Sequence, residues 1–183
     1  MPHVHSSPGQ YDATVTAMVV RYDKGVPRVL LPLHRKYGVR LPPGGHIELD
    51  ENPWQAVARE LREESGYHLD QLEVLQFSQA PTYAFNTLHP MPLLYQSHAV
   101  PGLVPHFHTD ACFGFVTDED PRDPIADGES ALEWFTAEEV AAFPNAHIPG
   151  DMRDMALFLM ANPEGYSRHS TADYTLAEPP LSR

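Results

Sequence analysis

The sequence predicts an α/β fold. Three features carry that expectation: residue runs with a two-residue apolar period, segments with helix start and stop signals, and connections rich in proline and glycine. The chain has 183 residues, which suits one domain, since domains commonly run about 100–200 residues. A chain of that length buries roughly 70% of its unfolded surface and needs no staples to fold. Its 42% hydrophobic and 20% charged residues exclude wholesale disorder, collagen and coiled coil. The 19 prolines and 11 glycines predict substantial loop content.

The elements follow in chain order. Residues 1–10 are polar with no apolar stretch of the secretory kind, and are expected to be flexible. Residues 14–22 alternate: Val15, Ala17 and Val19 share one face, and Thr14, Thr16, Met18 and Val20 the other. With their β-branched content they read as a strand. Asp23-Lys24-Gly25 is a turn into a second strand at 28–33, forming a hairpin. Leu41-Pro42-Pro43-Gly44-Gly45 cannot be helical. A helix is predicted over 53–65: Asn52 caps it, Pro53 suits its first position, Gln55 completes a capping box, and Gly66 ends it. Further strands are expected at 71–78, 93–100 and 111–117, with Phe113 and Phe115 on one face of the last. Residues 131–135 read as short extended structure. Thr136 with Glu139 makes a second capping box, and 151–161 form a third helix. From 162 onward the chain is polar without a clear period, and a loosely held tail is expected.

Charge and cysteine content narrow the function. Twelve basic against 25 acidic residues give −13, a poor match for nucleic-acid polymers or anionic membranes. No apolar run approaches the ~20 residues that span a membrane. Cys112 is the single cysteine, so no disulfide framework is expected, and a reducing, cytoplasmic setting is the default.

The 53–65 helix carries the chemistry. Trp54, Val57, Ala58 and Leu61 form its apolar stripe. Glu60, Glu63 and Glu64 sit at i, i+3 and i+4 and share another face. Such like charges cost an isolated helix about 0.2–0.5 kcal/mol per pair, and the negative end of the helix dipole adds to that. Hard divalent cations, Mg²⁺ or Mn²⁺, suit convergent carboxylates. A solvated acidic face paired by Arg59 and Arg62 is the plainer alternative on helix arguments alone.

The wider pattern decides between them. From Gly45 the chain reads five residues to Glu51, seven more to Arg59, then Arg59-Glu60-Leu61-Arg62-Glu63-Glu64-Ser65-Gly66-Tyr67. This resembles the box of the Nudix hydrolase family, G-x5-E-x7-R-E-U-x-E-E-x-G-U, with U bulky and apolar. All seven fixed positions match, and a chance match in such a chain is on the order of one in a million or less. Tyr67 stands where an aliphatic residue is usual. Pro43-Gly44-Gly45-His46 resembles the stretch common before the family's helix. The segment from Glu129 through Trp134 to Val140 resembles the end of many members' domains. The resemblance covers roughly residues 11–161.

It implies a Nudix-type α/β/α sandwich with a mixed β-sheet. It also implies hydrolysis of a nucleoside diphosphate linked to another group, with Mg²⁺ or Mn²⁺ as cofactor. Carried over residue by residue, Glu60, Glu63 and Glu64 match metal-binding positions, and the backbone carbonyl at Gly44 or Gly45 is a further ligand. Arg59 and Glu51 match positions that orient loop and helix by an internal ion pair. Family members differ in their general base, so Glu64, Glu63 and Glu129 are candidates for catalysis. Many relatives are dimers, and a homodimer is compatible with this chain. A Nudix-fold nucleotide-binding or regulatory domain without turnover is the competing implication; loss of box glutamates would mark it, and none is lost.

Weaker signals surround the box. His106, His108 and Asp110 alternate along a strand and could ligate a metal, bond within the sheet or touch substrate. Arg35, Lys36 and Arg40 cluster before the Pro-Pro-Gly-Gly loop and are candidates for an anionic substrate. Tyr83 and Phe85 could stack on a base or lie in the core. Subfamily marks leave nucleotide-sugar or ADP-ribose-like substrates, dinucleoside polyphosphates and nucleoside triphosphates open. The small-molecule nucleotide is the partner expected in every case.

Overall fold

The structure is a computed structural model that describes residues 7–77, 89–102, 104–123 and 131–177. Its elements run β1 (Tyr11–Asp23), β2 (Val26–Leu30), β3 (Leu33–His34), β4 (Val39–Arg40), β5 (Gly44–His46), α1 (Pro53–Ser65), β6 (Glu73–Phe77), β7 (Leu94–Val100), β8 (His106–Thr117), β9 (Trp134–Thr136), α2 (Ala137–Ala142), α3 (Gly150–Ala161) and β10 (Tyr166–Ser170). The main sheet has the order β10-β6-β8-β1-β2-β9, with β5 also paired to β1 and β7 to β8.

The sheet is mixed because its two long strands, β1 and β8, run parallel from Tyr11↔Phe107 to Arg21↔Thr117, while the other pairings are antiparallel. The other edge of β1 is divided. Residues 14–16 pair with β5 and residues 20–23 with β2. β8 is divided likewise between β7 and β6. At one end, therefore, β7, β8, β1 and β5 lie side by side, and the functional groups gather there.

Alternation along β1 decides which residues face which layer. Val15, Ala17 and Val19 pack with Trp54, Val57 and Leu61 of α1 and with Phe113 and Phe115 of β8. Met18 and Val20 pack on the opposite face with Val140 of α2 and with Met152, Met155, Ala156 and Leu159 of α3. The result is the α/β/α sandwich. Trp54 is fully buried, with its ring centroid 5.8 Å from Phe113 and 6.0 Å from Phe115. Truncating a side chain so packed costs about 3–5 kcal/mol.

α1 starts and stops where its signals predict. The Asn52 side chain accepts from the amides of Trp54 (2.9 Å) and Gln55 (3.0 Å), and the Gln55 side chain accepts from the Asn52 amide (2.8 Å). Gly66 ends the helix at φ 72°, a left-handed conformation that disfavours side chains.

Three differences from expectation stand out. β8 starts at His106, five residues before the predicted 111. β5 forms within the Gly-Gly segment, which carries no strand pattern of its own. The expected loose tail from 162 is also corrected. β10 pairs with β6 from Tyr166↔Phe77 to Ser170↔Glu73. Thr171 Oγ1 donates to the Leu69 carbonyl at 2.6 Å, and the Tyr174 ring lies 6.0 Å from Trp54. β10 is an edge strand made of Tyr, Ser, Arg, His and Ser. It is held by its backbone ladder, so it shows no apolar period. Among the described residues no helix is long and apolar enough to cross a membrane.

Candidate active site

The site is built where α1 meets β5. The Asn52 cap sets the start of α1 and hence its rotational phase. Trp54, Val57 and Leu61 turn into the core, and Glu60 turns toward β5 at 4% exposure. β5 is anchored by the pairs Thr14↔His46, Val15↔Gly45 and Thr16↔Gly44, and by the Ala17 amide donating to the Pro43 carbonyl at 2.8 Å.

Two glycines make this approach possible. A Cβ at Gly44 would strike the Val15 carbonyl, and one at Gly45 would strike the Glu60 carboxylate. Gly45 is thus the floor on which Glu60 rests. The Gly44 amide donates to Glu64 Oε2 at 3.0 Å and fixes the second carboxylate.

Arg59 organises the charges. Its Nε donates to Glu51 Oε1 (2.7 Å) and its Nη2 to Glu51 Oε2 (2.9 Å) and to the His46 carbonyl (2.9 Å). Its Nη1 donates to Glu60 Oε1 at 2.6 Å and lies 3.5 Å from Glu63. One guanidinium therefore joins the loop, β5 and the carboxylate face of α1. Hydrogen bonding from Arg59 holds the Glu51 carboxyl below the usual carboxylate range. Burial pushes the Glu60 carboxyl above it, with the charges of Glu63 and Glu51 adding to the rise and Arg59 opposing it. Three carboxylates share one cation here, which leaves net negative charge around Arg59.

Glu60 and Glu64 open onto a cavity of about 940 Å³. Its walls include Gly44, Gly45 and His46 on one side, His98 and His108 on another, and His34, Lys36 and Tyr37 from the β3–β4 turn. Asp110 lies at its base, 2% exposed. It accepts from Thr14 (3.0 Å), Thr16 (2.9 Å) and the Cys112 thiol (2.8 Å).

The residues singled out from the sequence are distributed as follows. Gly45, Glu51, Arg59, Glu60, Glu63 and Glu64 come together at the α1–β5 junction. Glu63 is half exposed there. His108 lines the cavity from β8, and His106, buried beside it, brings its Nε2 to 3.1 Å from the Nε2 of His108. Arg35 is exposed in the β3–β4 turn, where its neighbour Lys36 reaches the cavity. Arg40 is turned elsewhere. It donates to both Glu133 carboxylate oxygens (2.5 and 3.0 Å) and stacks on Phe135 at 4.5 Å. It forms a strut between β4 and the chain before β9 and does not line the cavity. Glu129 and Tyr83 lie outside the described residues, as does Phe85.

Sequence reasoning did not single out His46, Asp12, His98 or Tyr37. His46 was visible only as the residue after the Gly-Gly pair. The others are marked by no spacing, because strand pairing brings them in.

Comparison with known proteins identifies the family. The NUDIX domain model matches residues 12–155. The human protein named m7GpppN-mRNA hydrolase NUDT17 is 30% identical over 143 residues, 70% of this chain. The chain spans 40% of that relative's length. A NUDIX-family hydrolase from Clostridium perfringens has 28% identity and a TM-score of 0.63, over 82% of this chain and 96% of that one. The dihydroneopterin triphosphate pyrophosphohydrolase of E. coli shares the fold at 18% identity and a TM-score of 0.57, over 84% and 99% of the two chains. With the box intact on a glycine-floored, carboxylate-lined cavity, the chain belongs to the Nudix hydrolase family.

Proposed function

We propose that the protein hydrolyses a pyrophosphate bond in a nucleoside diphosphate linked to another moiety, with Mg²⁺ or Mn²⁺. The observation that carries this is the convergence of Glu60 and Glu64 on the cavity across two glycines that a Cβ would obstruct. The residues present fit a hard divalent cation. The donors are carboxylate oxygens, the Glu60 carboxylate rests in a cradle open only to glycine, and the local charge is in excess of its single guanidinium.

Glu60, Glu63, Glu64 and the backbone carbonyl at Gly45 would hold the ion. When bound, such an ion neutralises bridging phosphate and lowers the pKa of a coordinated water. The chain's own residues do the rest. Arg59 holds Glu60 in place and opposes its protonation. The Gly44 amide sets the direction of Glu64. Glu64 is assigned as the base: it takes the proton of the attacking water while oxygen bonds to phosphorus and the bridging P–O bond breaks. Glu63 and Glu129 are the alternative bases.

Lys36 lies 5.1 Å from the centroid of the Tyr37 ring, and His34 stacks on that ring at 4.6 Å. These groups are assigned to the nucleotide or its linked group, with Arg35 as a further contact. The human relative is named as a hydrolase of m7GpppN-mRNA, in which phosphates join a nucleotide to the rest of the molecule. Dinucleoside polyphosphates, nucleotide sugars, ADP-ribose-like compounds and nucleoside triphosphates are the substrate classes to try. The buried, free Cys112 suits a reducing cytoplasm.

The test is a phosphate-release screen across those classes with Mg²⁺ or Mn²⁺ and with Glu64→Gln as control. Turnover by the native protein alone supports the reading and names the substrate. Nucleotide and metal binding without turnover of any class favours a non-catalytic Nudix-fold regulator instead.

A further inference from the structure

We propose that His46, His106 and His108 form a second metal site, separate in chemistry from the glutamates and selective for a zinc-class transition-metal ion. Three strands build it. His46 ends β5, opposite Thr14 of β1, while His108 of β8 pairs with Asp12 of β1. One ring nitrogen from each histidine lies within 4.8 Å of the other two.

The tautomers favour a cation. His106 Nδ1 lies 2.8 Å from the Val104 carbonyl, which can only accept, so Nδ1 carries the proton. In the neutral ring Nε2 then carries the lone pair, which accepts a hydrogen bond from His108 Nε2 at 3.1 Å, and a bound ion would take the place of that shared proton. Two imidazole nitrogens on one tetrahedral ion, each about 2.0–2.1 Å from it, stand about 3.3–3.4 Å apart. The observed separation is close to that. A carbonyl on the far ring nitrogen is also the usual outer support of a metal-bound histidine.

A second observation points the same way. Asp12 is 5% exposed, and its Oδ2 has no hydrogen-bond partner among the described residues, although it lies 3.5 Å from His46 Nε2. A buried carboxylate oxygen in that position is costly unless a positive charge is nearby. A cation on the three imidazoles supplies it. Imidazole donors suit Zn²⁺, Co²⁺, Ni²⁺ or Cu²⁺ and not Mg²⁺, so the two sites differ in the ion they take. His46 and His108 border the cavity, which gives the ion its entry.

The test uses the full chain stripped with chelator and titrated with Co²⁺, then Zn²⁺, in excess Mg²⁺. One Co²⁺ per chain with the strong visible absorption of a low-coordinate ion, displaced by Zn²⁺, is expected. His46→Gln and His108→Gln should each weaken Co²⁺ binding by about 100-fold or more, while Glu64→Gln leaves it unchanged. Binding of equal affinity in both histidine variants, or its loss in Glu64→Gln, overturns the site. X-ray absorption of the Zn²⁺-loaded native protein decides even where a variant fails to fold: imidazole scattering supports the proposal and an oxygen-only shell overturns it.

Discussion

Arg59 grips Glu51 through two hydrogen bonds, Nε to Oε1 at 2.7 Å and Nη2 to Oε2 at 2.9 Å, with both side chains mostly buried. The pair is eight residues apart and ties the loop before α1 to the middle of the helix. Glu51→Gln should cost about 1–3 kcal/mol, because it leaves part of a charged fork unmatched. At about 2–4 °C per kcal/mol for a chain of this size, thermal denaturation should show a fall of several degrees. Arg59→Lys should not rescue the site, since an ammonium cannot serve two Glu51 oxygens, Glu60 and a carbonyl in one plane. A lysine variant with native melting temperature and turnover would remove Arg59 from its organising role.

Glu64→Gln should fold normally and lose turnover by about 10²–10⁴-fold, the range for a general base. The amide oxygen still accepts from the Gly44 amide, which in the native protein donates to Glu64 Oε2 at 3.0 Å. What the variant lacks is the charge and the basicity. Circular dichroism and steady-state rates check the two halves. Native-like rates in a folded variant would move the base to Glu63 or Glu129.

Local signals were legible in the sequence and long-range ones were not. Asn52, Pro53, Gln55 and Gly66 marked both ends of α1 because caps act within four residues. Alternation assigned the two faces of β1. The i, i+3, i+4 spacing put Glu60, Glu63 and Glu64 on one face, and the box tied them to Gly45, Glu51 and Arg59. β5 could not be read, because its pairing depends on β1 and its own sequence is Gly-Gly-His. Nor could the grouping of His46 with His106 and His108. It exists because β1 pairs parallel with β8, which brings Thr14 to Asp110, 96 residues away. The pairing of Arg40 with Glu133 could not be read for a related reason: the two are 93 residues apart.

Cys112 should be inert in the native protein. It is fully buried and donates to Asp110, and burial together with the Asp110 charge pushes its thiol well above the usual range. The thiolate, which is the reactive form, is therefore absent at neutral pH. A thiol reagent should label it only as the protein unfolds. Asp110→Asn should cost about 1–3 kcal/mol by disturbing three buried donors, and labelling should accelerate with the loss of stability. Rapid stoichiometric labelling of the native chain would contradict the burial.

Alkaline stability should report on Tyr67. Its hydroxyl donates to the Glu119 carbonyl at 2.8 Å, and burial pushes its pKa up from 10.0 to about 12. The folded state keeps a proton that the unfolded chain releases near pH 10, so the contribution is complete below that pH. It is lost as the pH rises through about 12. Urea denaturation at successive pH values should show native stability falling across this window more steeply than that of Tyr67→Phe. Parallel curves for the two proteins would assign the alkaline loss to other groups.

Truncation after Ala161 should destabilise the domain. It removes β10 from the edge of β6, the Thr171 bond to Leu69 and the Tyr174 ring beside Trp54. It also uncovers part of α1 near its start, where the Gln55 side-chain amide donates to the Leu176 carbonyl at 2.8 Å. Burying one aromatic side chain contributes about 1.5–3 kcal/mol, and the lost ladder and hydrogen bonds add to that. A fall in melting temperature of roughly 10 °C is expected at about 2–4 °C per kcal/mol. Because α1 also carries Glu60, Glu63 and Glu64, divalent-ion stabilisation should weaken in parallel. A separate Tyr174→Ala variant isolates the packing contribution from the strand. A truncated chain that melts with the full-length protein would show that β10 adds no stability to the sheet it extends.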